Sequence, residues 1–484
     1  MTTIKLDPGA ALLLDALHGA GHAAYAVGGC VRDSLLGLDP HDWDLCTSAR
    51  PEQVMALFGE EKCIPTGLQH GTVTVKQGGR LYETTTFRTE GAYSDGRHPD
   101  AVCFVPDVRE DLARRDFTIN AMAYSAEEGL IDPFGGRDDL TAHLVRAVGG
   151  PERRFEEDAL RILRLYRFAA RFGFAIDPAT GAAARALGPH LDCVSAERIQ
   201  EELLKLLAAP RPGSYLESAV LAVVLPELEP EKQPERFAEL CRTIDRIEPT
   251  AENVPARLAA LLWPLGEAGA RKALRKLKCS NALTDEVTAL EREAGGGAGS
   301  FLLPRSRERW AGSSSEDRPL GWDPAAAGSR AGDGMACNSN DRRQWRMQEV
   351  AVGAVASDTQ AMRSGCWEPQ PELVSDQTLM AKRLLGRYEL PTIQRLTALC
   401  SARHPEQAEA FAALRAEAER LTVENACCRV SQLAVNGRDL MAAGVRPGPG
   451  LRQVLNALLE AVITGQTPNE KDALLAAAAQ FSAS

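Results

Sequence analysis

Asp42 and Asp44 flank Trp43, and this pair is the first chemistry the chain offers. Side chains alternate along an extended strand, so both carboxylates point to one side of whatever strand holds them. Carboxylates that close repel each other unless a cation lies between them. Hard oxygen ligands suit Mg²⁺, which takes one or two carboxylates and completes its octahedron with substrate phosphates and water. Upstream stand Gly28 and Gly29, then Arg32 and Asp33. Adjacent glycines let backbone approach a phosphate closely, and Arg32 adds a planar donor for it. An Asp-x-Asp pair alone is common on surface loops, and a glycine pair alone marks a turn. In this order and spacing the two together read as a nucleoside triphosphate site. His41-Asp42 is not a phosphohydrolase signature, because Asp42 already belongs to the acidic pair and no second histidine cluster accompanies it.

GGCVRD followed by DWD resembles the nucleotidyltransferase core of the class II tRNA nucleotidyltransferase and bacterial poly(A) polymerase family, within the DNA-polymerase-β-like superfamily. PTGLQHGTVTV and YETTTFR are more similar to the CCA-adding members than to the proteobacterial poly(A) polymerases. Arg114, Arg115 and Asp116 resemble the family's RRD motif, which implies that Arg115 contacts the nucleotide. Glu157-Asp158-Ala159-Leu160-Arg161 resembles its EDxxR motif, which implies base reading by Asp158 and Arg161. Arg164 and Arg167 would assist through phosphates or by buttressing. Gly28, Gly29 and Arg32 would position sugar and phosphates. Glu83 is either a third acidic group beside the DWD pair, as polymerase-β-like sites usually have, or a solvent-facing strand residue.

These residues need elements to carry them. Leu12, Leu13, Leu14 and Leu17 predict a helix ending near Gly21, leading into the strand before the glycine pair. After a DWD strand, Ser48 is expected to cap a short helix opened by Pro51 and Glu52. Thr72 to Lys76 and Leu81 to Phe87, joined by Gln77-Gly78-Gly79-Arg80, predict a hairpin. Thr89 to Val105 reads as a mobile loop; the resemblance makes it the full-length loop that CCA-adding members need to switch from C to A. Asp111 is expected to enter a helix carrying Arg114 and Arg115, which would diverge by about 100° and could not share one phosphate. In IDPFGGRDDL, Asp132 and Asp138 read as structural. One helix is expected through RRFEEDALRILRLYRFAARFGF, with Asp158 and Arg161 on a shared face and Arg167 roughly opposite Asp158. SAERIQEELLKLL begins with Ser-x-x-Arg, short of a true capping box, and continues as an amphipathic helix.

A length of 484 residues predicts about two to four domains. Apolar content of 44% and charged content of 25% suit a soluble globular chain. No run is long and apolar enough for a membrane span, and no leader is evident, so the expected location is the cytoplasm. The 12 cysteines form no C-x-x-C and predict buried free thiols rather than a zinc site or disulfides. A net charge of −11 argues against indiscriminate coating of nucleic acid, yet basic stripes at 153–171 and 271–278 leave room for a specific RNA partner. Residues 295–374 lack periodicity, match nothing in the family, and read as a disordered insertion or aberrant coding segment.

The predicted fold is an α/β nucleotidyltransferase head with a mixed sheet (1–150), then all-α neck (151–210), body (211–294) and tail (375–484). The resemblance implies transfer of CTP and ATP onto the tRNA 3′ end, with two Mg²⁺ ions held by Asp42 and Asp44. Poly(A) synthesis, partial CC or A addition, and an inactive tRNA-binding protein are the alternatives. The sequence leaves open whether the chain forms a homodimer.

Overall fold

Residues 3–91, 102–295 and 376–481 are described by the structure, a computed structural model. Asp7 opens α1 (Pro8–Gly19): its carboxylate accepts from the N–H groups of Gly9 and Ala10, and Leu13, Leu14 and Leu17 turn one face into the core. β1 (Ala24–Val27) feeds two cores at once. Ala24 and Ala26 belong to the main apolar cluster, whereas Tyr25 and Val27 join a second one with Cys46, Phe87 and Leu112. A strand covered on both faces has no polar side, which is why AYAV is unbroken apolar sequence.

α2 (Gly29–Leu35) leaves the end of β1, and β2 (Leu45–Thr47) returns antiparallel with Leu45 opposite Ala26. Asp42, Trp43 and Asp44 precede β2 rather than lying in it, but their alternation persists: Trp43 and Leu45 enter the main core, and the two aspartates stay exposed. Ser48 does not cap α3 (Pro51–Phe58). Its Oγ accepts from Ala23 N at 3.0 Å, fastening the entry to β1, and Gln53 Oε1 accepts from Arg50 N at the start of α3.

β3 (Cys63–Gly67), β4 (Thr72–Gln77) and β5 (Arg80–Thr86) follow. Gln77 pairs with Arg80, so the hairpin loop is Gly78-Gly79 alone, with φ of 57° and 80°. Two positive φ values are what a type I′ turn demands, and glycine supplies them without a Cβ clash. β5 lies parallel to β2, with Thr84 opposite Leu45. β6 (Arg88–Glu90) pairs with β7 (Val102–Phe104), so the ends of the stretch expected as a loop form a ladder; its residues 92–101 lie outside the described residues.

α4 (Val108–Ala113) is opened by Asp107, which accepts from Arg109 N at 2.9 Å, and not by Asp111, which sits inside the helix. β8 (Ala123–Ser125) and β9 (Gly129–Ile131) complete a seven-stranded mixed sheet of order β3-β4-β5-β2-β1-β8-β9. Asp132 accepts from Gly136 N and Arg137 N at the head of α5 (Gly136–Thr141), the structural role expected of it.

Beyond the head the described chain is nearly all helix. The single helix expected over 153–174 is two, α6 (Pro151–Glu157) and α7 (Leu160–Phe172), broken where Asp158 adopts φ −150° and ψ 104°. α8 (Pro178–Ala186) and α9 (Ala196–Leu207) follow. Helices continue to Gly295, and residues 296–375, nearly all of the expected insertion, lie outside the described residues. Chain from both sides of that gap packs together: Tyr388 donates to Glu293 Oε1 at 2.8 Å, and Arg395 pairs with Glu286. The last helices gather a small core of their own around Leu440, Val454, Leu458 and Leu474. All ten described cysteines are free; five are buried, while Cys103 and Cys193 are exposed. Among the described residues no helix is long and apolar enough to cross a membrane.

Candidate active site

The sheet register brings Glu83 beside the aspartates. Because Thr84 pairs in parallel with Leu45, the residues one step earlier, Glu83 and Asp44, emerge on the same face. Glu83 and Asp42 both push the Asp44 carboxyl above its usual range. The largest cause of that shift is burial: Asp44 keeps a solvent-facing tip but sits among many protein atoms, and Arg115 opposes the rise. Among the described residues none of the three carboxylates has an ion-pair partner.

No group of three or more His, Cys, Asp or Glu side chains among the described residues is gathered tightly enough to hold a metal ion. Mg²⁺ needs only one or two carboxylates when phosphates and water complete its shell. An all-oxygen, mutually repelling set without an ion pair among the described residues fits that requirement, and Asp42 and Asp44 with Glu83 nearby are the residues that would hold it.

Beside them lies the glycine pair. Gly28 N donates to Met122 O, and Val27 N to Asp44 O, so the turn is strung between the ends of three strands. Gly28 has φ 76°, and a Cβ there would lie 2.9 Å from Arg115 Nη1. The positive φ is what favours glycine here, and the Arg115 guanidinium lies against it. Arg115 Nη2 donates to Asp111 Oδ2 at 3.3 Å, while its Nε is buried without a hydrogen-bond partner among the described residues.

Arg115 and Arg114 do share one anion, contrary to the expected divergence. α4 ends at Ala113, so the two are not on a continuing helix, and both reach Asp111. Burial pushes the Asp111 carboxyl up, but the two guanidiniums outweigh it and hold it below its usual range.

A cavity of about 240 Å³ opens next to this point, lined by Arg114, Arg115, Asp116, Asp158, Arg161, Arg164, Arg198 and Leu160. Asp158 and Arg161 meet there, but not as an ion pair on one helical face. Asp158 sits in the break and accepts from Leu160 N with Oδ1. Its ion-pair partner is Arg198 of α9, at 2.7 Å. Arg161 instead pairs with Glu157 Oε2 at 2.7 Å. Arg164 donates twice to Asp116 Oδ2, at 2.9 and 2.6 Å. Arg167 does not line the cavity; it donates to Glu202 Oε2 at 2.5 Å and lies 4.0 Å over the Phe168 ring.

Arg32 is only 4% exposed. Its guanidinium donates to Asp33 and to Asn120 Oδ1 and rests on the rings of Phe168 and Phe172, at 5.2 and 4.9 Å. Asn120 in turn donates to Asp116 at 3.0 Å, and Arg171 reaches Asp33 at 3.2 Å. A polar ladder therefore joins Arg164 and Arg171 of α7 to the head through Asp116, Asn120, Arg32 and Asp33. Burial raises the Asp116 carboxyl, but Arg164 and Asn120 more than reverse this and hold it far below the usual carboxylate range. Arg198, Glu157, Asp116, Asn120 and Glu202 were not read as site residues from sequence; the signal available for Arg198 was its place in Ser-x-x-Arg at the start of α9.

Three family models match the chain: "Poly A polymerase head domain" over 24–146, "Probable RNA and SrmB- binding site of polymerase A" over 173–232, and "tRNA nucleotidyltransferase domain 2 putative" over 375–478. The CCA-adding enzyme of Limosilactobacillus fermentum is 33% identical over 474 residues, covering 97% of this chain and 96% of that one. The CCA-adding enzyme of Geobacillus stearothermophilus is 42% identical over 281 residues, 57% of this chain and 68% of that one. The crystal structure of the Bacillus stearothermophilus CCA-adding enzyme in complex with CTP superposes with a TM-score of 0.69 at 29% identity, covering 98% of each chain. Full-length similarity of this kind, on top of a mixed-sheet head and an arginine-lined cavity, places the chain in the CCA-adding enzyme family.

Proposed function

We propose that this protein adds or repairs the 3′-terminal CCA of tRNA from CTP and ATP, without a nucleic-acid template. The observation that carries the reading is the junction at Arg115, which touches Gly28, moderates the charge of Asp44 and lines the arginine-rich cavity. A triphosphate lying along that junction would have its phosphorus beside the carboxylates and its base in the cavity.

In this reading the tRNA 3′-oxygen bonds to the α-phosphorus, the bond from that phosphorus to the bridging oxygen breaks, pyrophosphate leaves and the hydroxyl proton is released. Asp42 and Asp44 would hold Mg²⁺, with Glu83 as a third oxygen donor. When bound, two such ions supply acidification of the 3′-hydroxyl and neutralisation of the triphosphate. Gly28 and Gly29 admit the phosphates, Arg115 donates to them, and Arg32 braces the turn from beneath while its Nη2 faces Gly29. Asp158 accepts from the base's exocyclic amine and Arg161 donates to its ring nitrogen, a polarity matched by cytosine and adenine and mismatched by uracil and guanine. Arg164 and Arg167 buttress this pair. Residues 1–150 carry the chemistry, 151–210 read the nucleotide, and the later helices hold the tRNA, in the cytoplasm.

Primer extension on a tRNA ending before CCA, with CTP and ATP and sequencing of the 3′ ends, tests this. The expected product ends in CCA. A tract of A, or arrest after CC, replaces it with poly(A) synthesis or partial addition. Tight tRNA binding without pyrophosphate release leaves a binding protein.

A further inference from the structure

The basic stripe at 271–278 lies outside the arginine-lined cavity. It carries Arg271, Lys272, Arg275, Lys276 and Lys278 and no acid, in a chain whose net charge is −11. The helix Gly266–Lys276 turns Ala270, Ala273 and Leu274 into the core, which leaves Lys272, Arg275, Lys276 and Lys278 exposed. Arg271 is committed to the next helix, where it donates to Asp285 Oδ1 at 3.0 Å and to Thr288 Oγ1 at 2.7 Å. Lys276 lies 3.9 Å from Glu227. Lys272 and Arg275, three apart and so on one side of the helix, have no hydrogen-bond or ion-pair partner for their side chains among the described residues.

Lys278 joins this face to the neighbourhood of the cavity. Its Nζ meets Glu197 Oε1 at 2.6 Å, and Glu197 stands next to Arg198, a cavity wall, at the start of α9. Both side chains are open to water, 61% and 55% exposed, and an ion pair so placed is readily exchanged for another anion. The backbone at Lys278 is a second, independent observation. The helix closes with Cys279 N donating to Leu274 O and Lys278 N to Arg275 O, both at 3.0 Å, and Lys278 has φ 56°. That position usually takes glycine, because a Cβ is strained in the left-handed region. A charge held there against backbone preference points to a use for it.

We propose that the helix Gly266–Lys276 and Lys278 form a rail for the phosphate backbone of the tRNA strand whose 3′ end enters the cavity, with Glu197 as the internal anion that the RNA displaces from Lys278. This rests on the reading of the chain as a tRNA nucleotidyltransferase. The stripe holds no aromatic residue on which a base would stack, so it matches phosphates and not bases and holds the strand without reading it. While Glu197 keeps Lys278 the rail is one cation short. Removing the Glu197 charge should therefore tighten RNA binding, the reverse of what losing a structural ion pair would do.

The test is filter binding across a salt series, with a tRNA lacking CCA and with a minihelix of its acceptor stem and TΨC arm. The proteins are the full chain, Lys272→Ala/Arg275→Ala, Lys278→Gly, Glu197→Gln and the Glu197→Gln/Lys278→Gly double variant. Lys272→Ala/Arg275→Ala should weaken binding of both RNAs about tenfold or more and reduce the slope of log affinity against log salt by about 1.5–2. Lys278→Gly should weaken both about threefold while Tm holds or rises. Glu197→Gln should tighten both about twofold and add nothing in the Lys278→Gly background. KM for tRNA should follow these affinities, and KM for CTP should not move. Unchanged affinity and salt slope in Lys272→Ala/Arg275→Ala, beside a parent chain that extends tRNA with CTP, overturns the rail. Weakened binding of tRNA with normal binding of the minihelix overturns its place beside the 3′ end. Looser binding by Glu197→Gln overturns the displacement of Glu197 by RNA. A parent chain that neither binds tRNA nor adds CTP to it overturns the proposed function, and the rail with it. If Lys272→Ala/Arg275→Ala fails to fold, Lys278→Gly, which relieves backbone strain, carries the test: a reduced salt slope supports the rail and an unaltered one overturns it.

Discussion

Asp44 carries the charge signal of the proposed metal site. Its carboxyl is raised by burial and by Glu83 and Asp42, while Arg115 is the cation that opposes the rise. Repulsion of this kind concentrates at functional sites, where a bound cation would relieve it. Asp42→Ala and Asp44→Ala should each lower nucleotide transfer on the order of 10³-fold or more, since several kcal/mol of charge stabilisation is at stake and each step of about 1.4 kcal/mol is tenfold. tRNA affinity, measured by filter binding, should stay near wild type because the segments proposed to hold the RNA lie outside the changed residues; near-normal turnover in both variants would remove the assignment. Glu83→Gln separates the two readings of that residue. If Glu83 donates to the metal, the Mg²⁺ concentration for half-maximal rate rises about tenfold with the loss of one anionic ligand. An unshifted Mg²⁺ titration makes it an exposed strand residue.

At the scale of elements, what could be read in the sequence was what depends on neighbours along the chain. Gly78-Gly79 announced its hairpin because a two-residue turn with positive φ leaves few other choices. Asp42 and Asp44 kept their common side although the strand begins one residue later, since alternation needs only extended backbone. The break at Asp158 has no local mark, because the apolar pattern runs through it, from Phe155 to Ile162, with no Gly or Pro to set an end. In the structure Asp158 accepts from Leu160 N at the start of α7, as an Asp before a helix commonly does. The pairings of Asp158 with Arg198 and of Arg164 with Asp116 join residues far apart in sequence, and no local rule predicts them. Arg257 is another such case. It is fully buried, and its guanidinium donates to the carbonyls of Leu207, Ala209 and Ile247, tying the end of α9 to the helix Pro234–Arg246. Arg257→Ala strands those carbonyls and opens a cavity. It should cost about 3 kcal/mol or more in urea unfolding monitored by circular dichroism. A loss below about 1 kcal/mol would mean that water replaces the guanidinium without penalty.

For the whole molecule, stability above the usual carboxylate range should depend on pH through a buried acid outside the proposed active site. Glu291, on the helix Asn281–Gly295, is 4% exposed, and its Oε1 has no hydrogen-bond partner among the described residues. Burial pushes its carboxyl up to about 8, Arg403 pulls the other way without closing an ion pair, and Glu267 adds to the rise. Arg403 is instead occupied with the face of Trp263, 3.2 Å from the ring centroid. The folded state therefore keeps a proton that the unfolded chain, with its ordinary value of 4.5, has already released. Between those two values the unfolded state binds fewer protons, so the free energy of unfolding falls as pH rises. The loss begins near pH 4.5 and is complete above about 8. Glu291→Gln keeps the shape and removes the titration. Compared with the parent chain, it should gain about 1–3 kcal/mol at pH 8 and little or nothing at pH 5, because each tenfold change in proton affinity between the folded and unfolded states is worth about 1.4 kcal/mol. Thermal melts of both proteins at pH 5, 6.5 and 8 measure this. Parallel melting curves at all three values would show that Glu291 ionises in the folded body without cost, with Arg403 or water having moved to meet it.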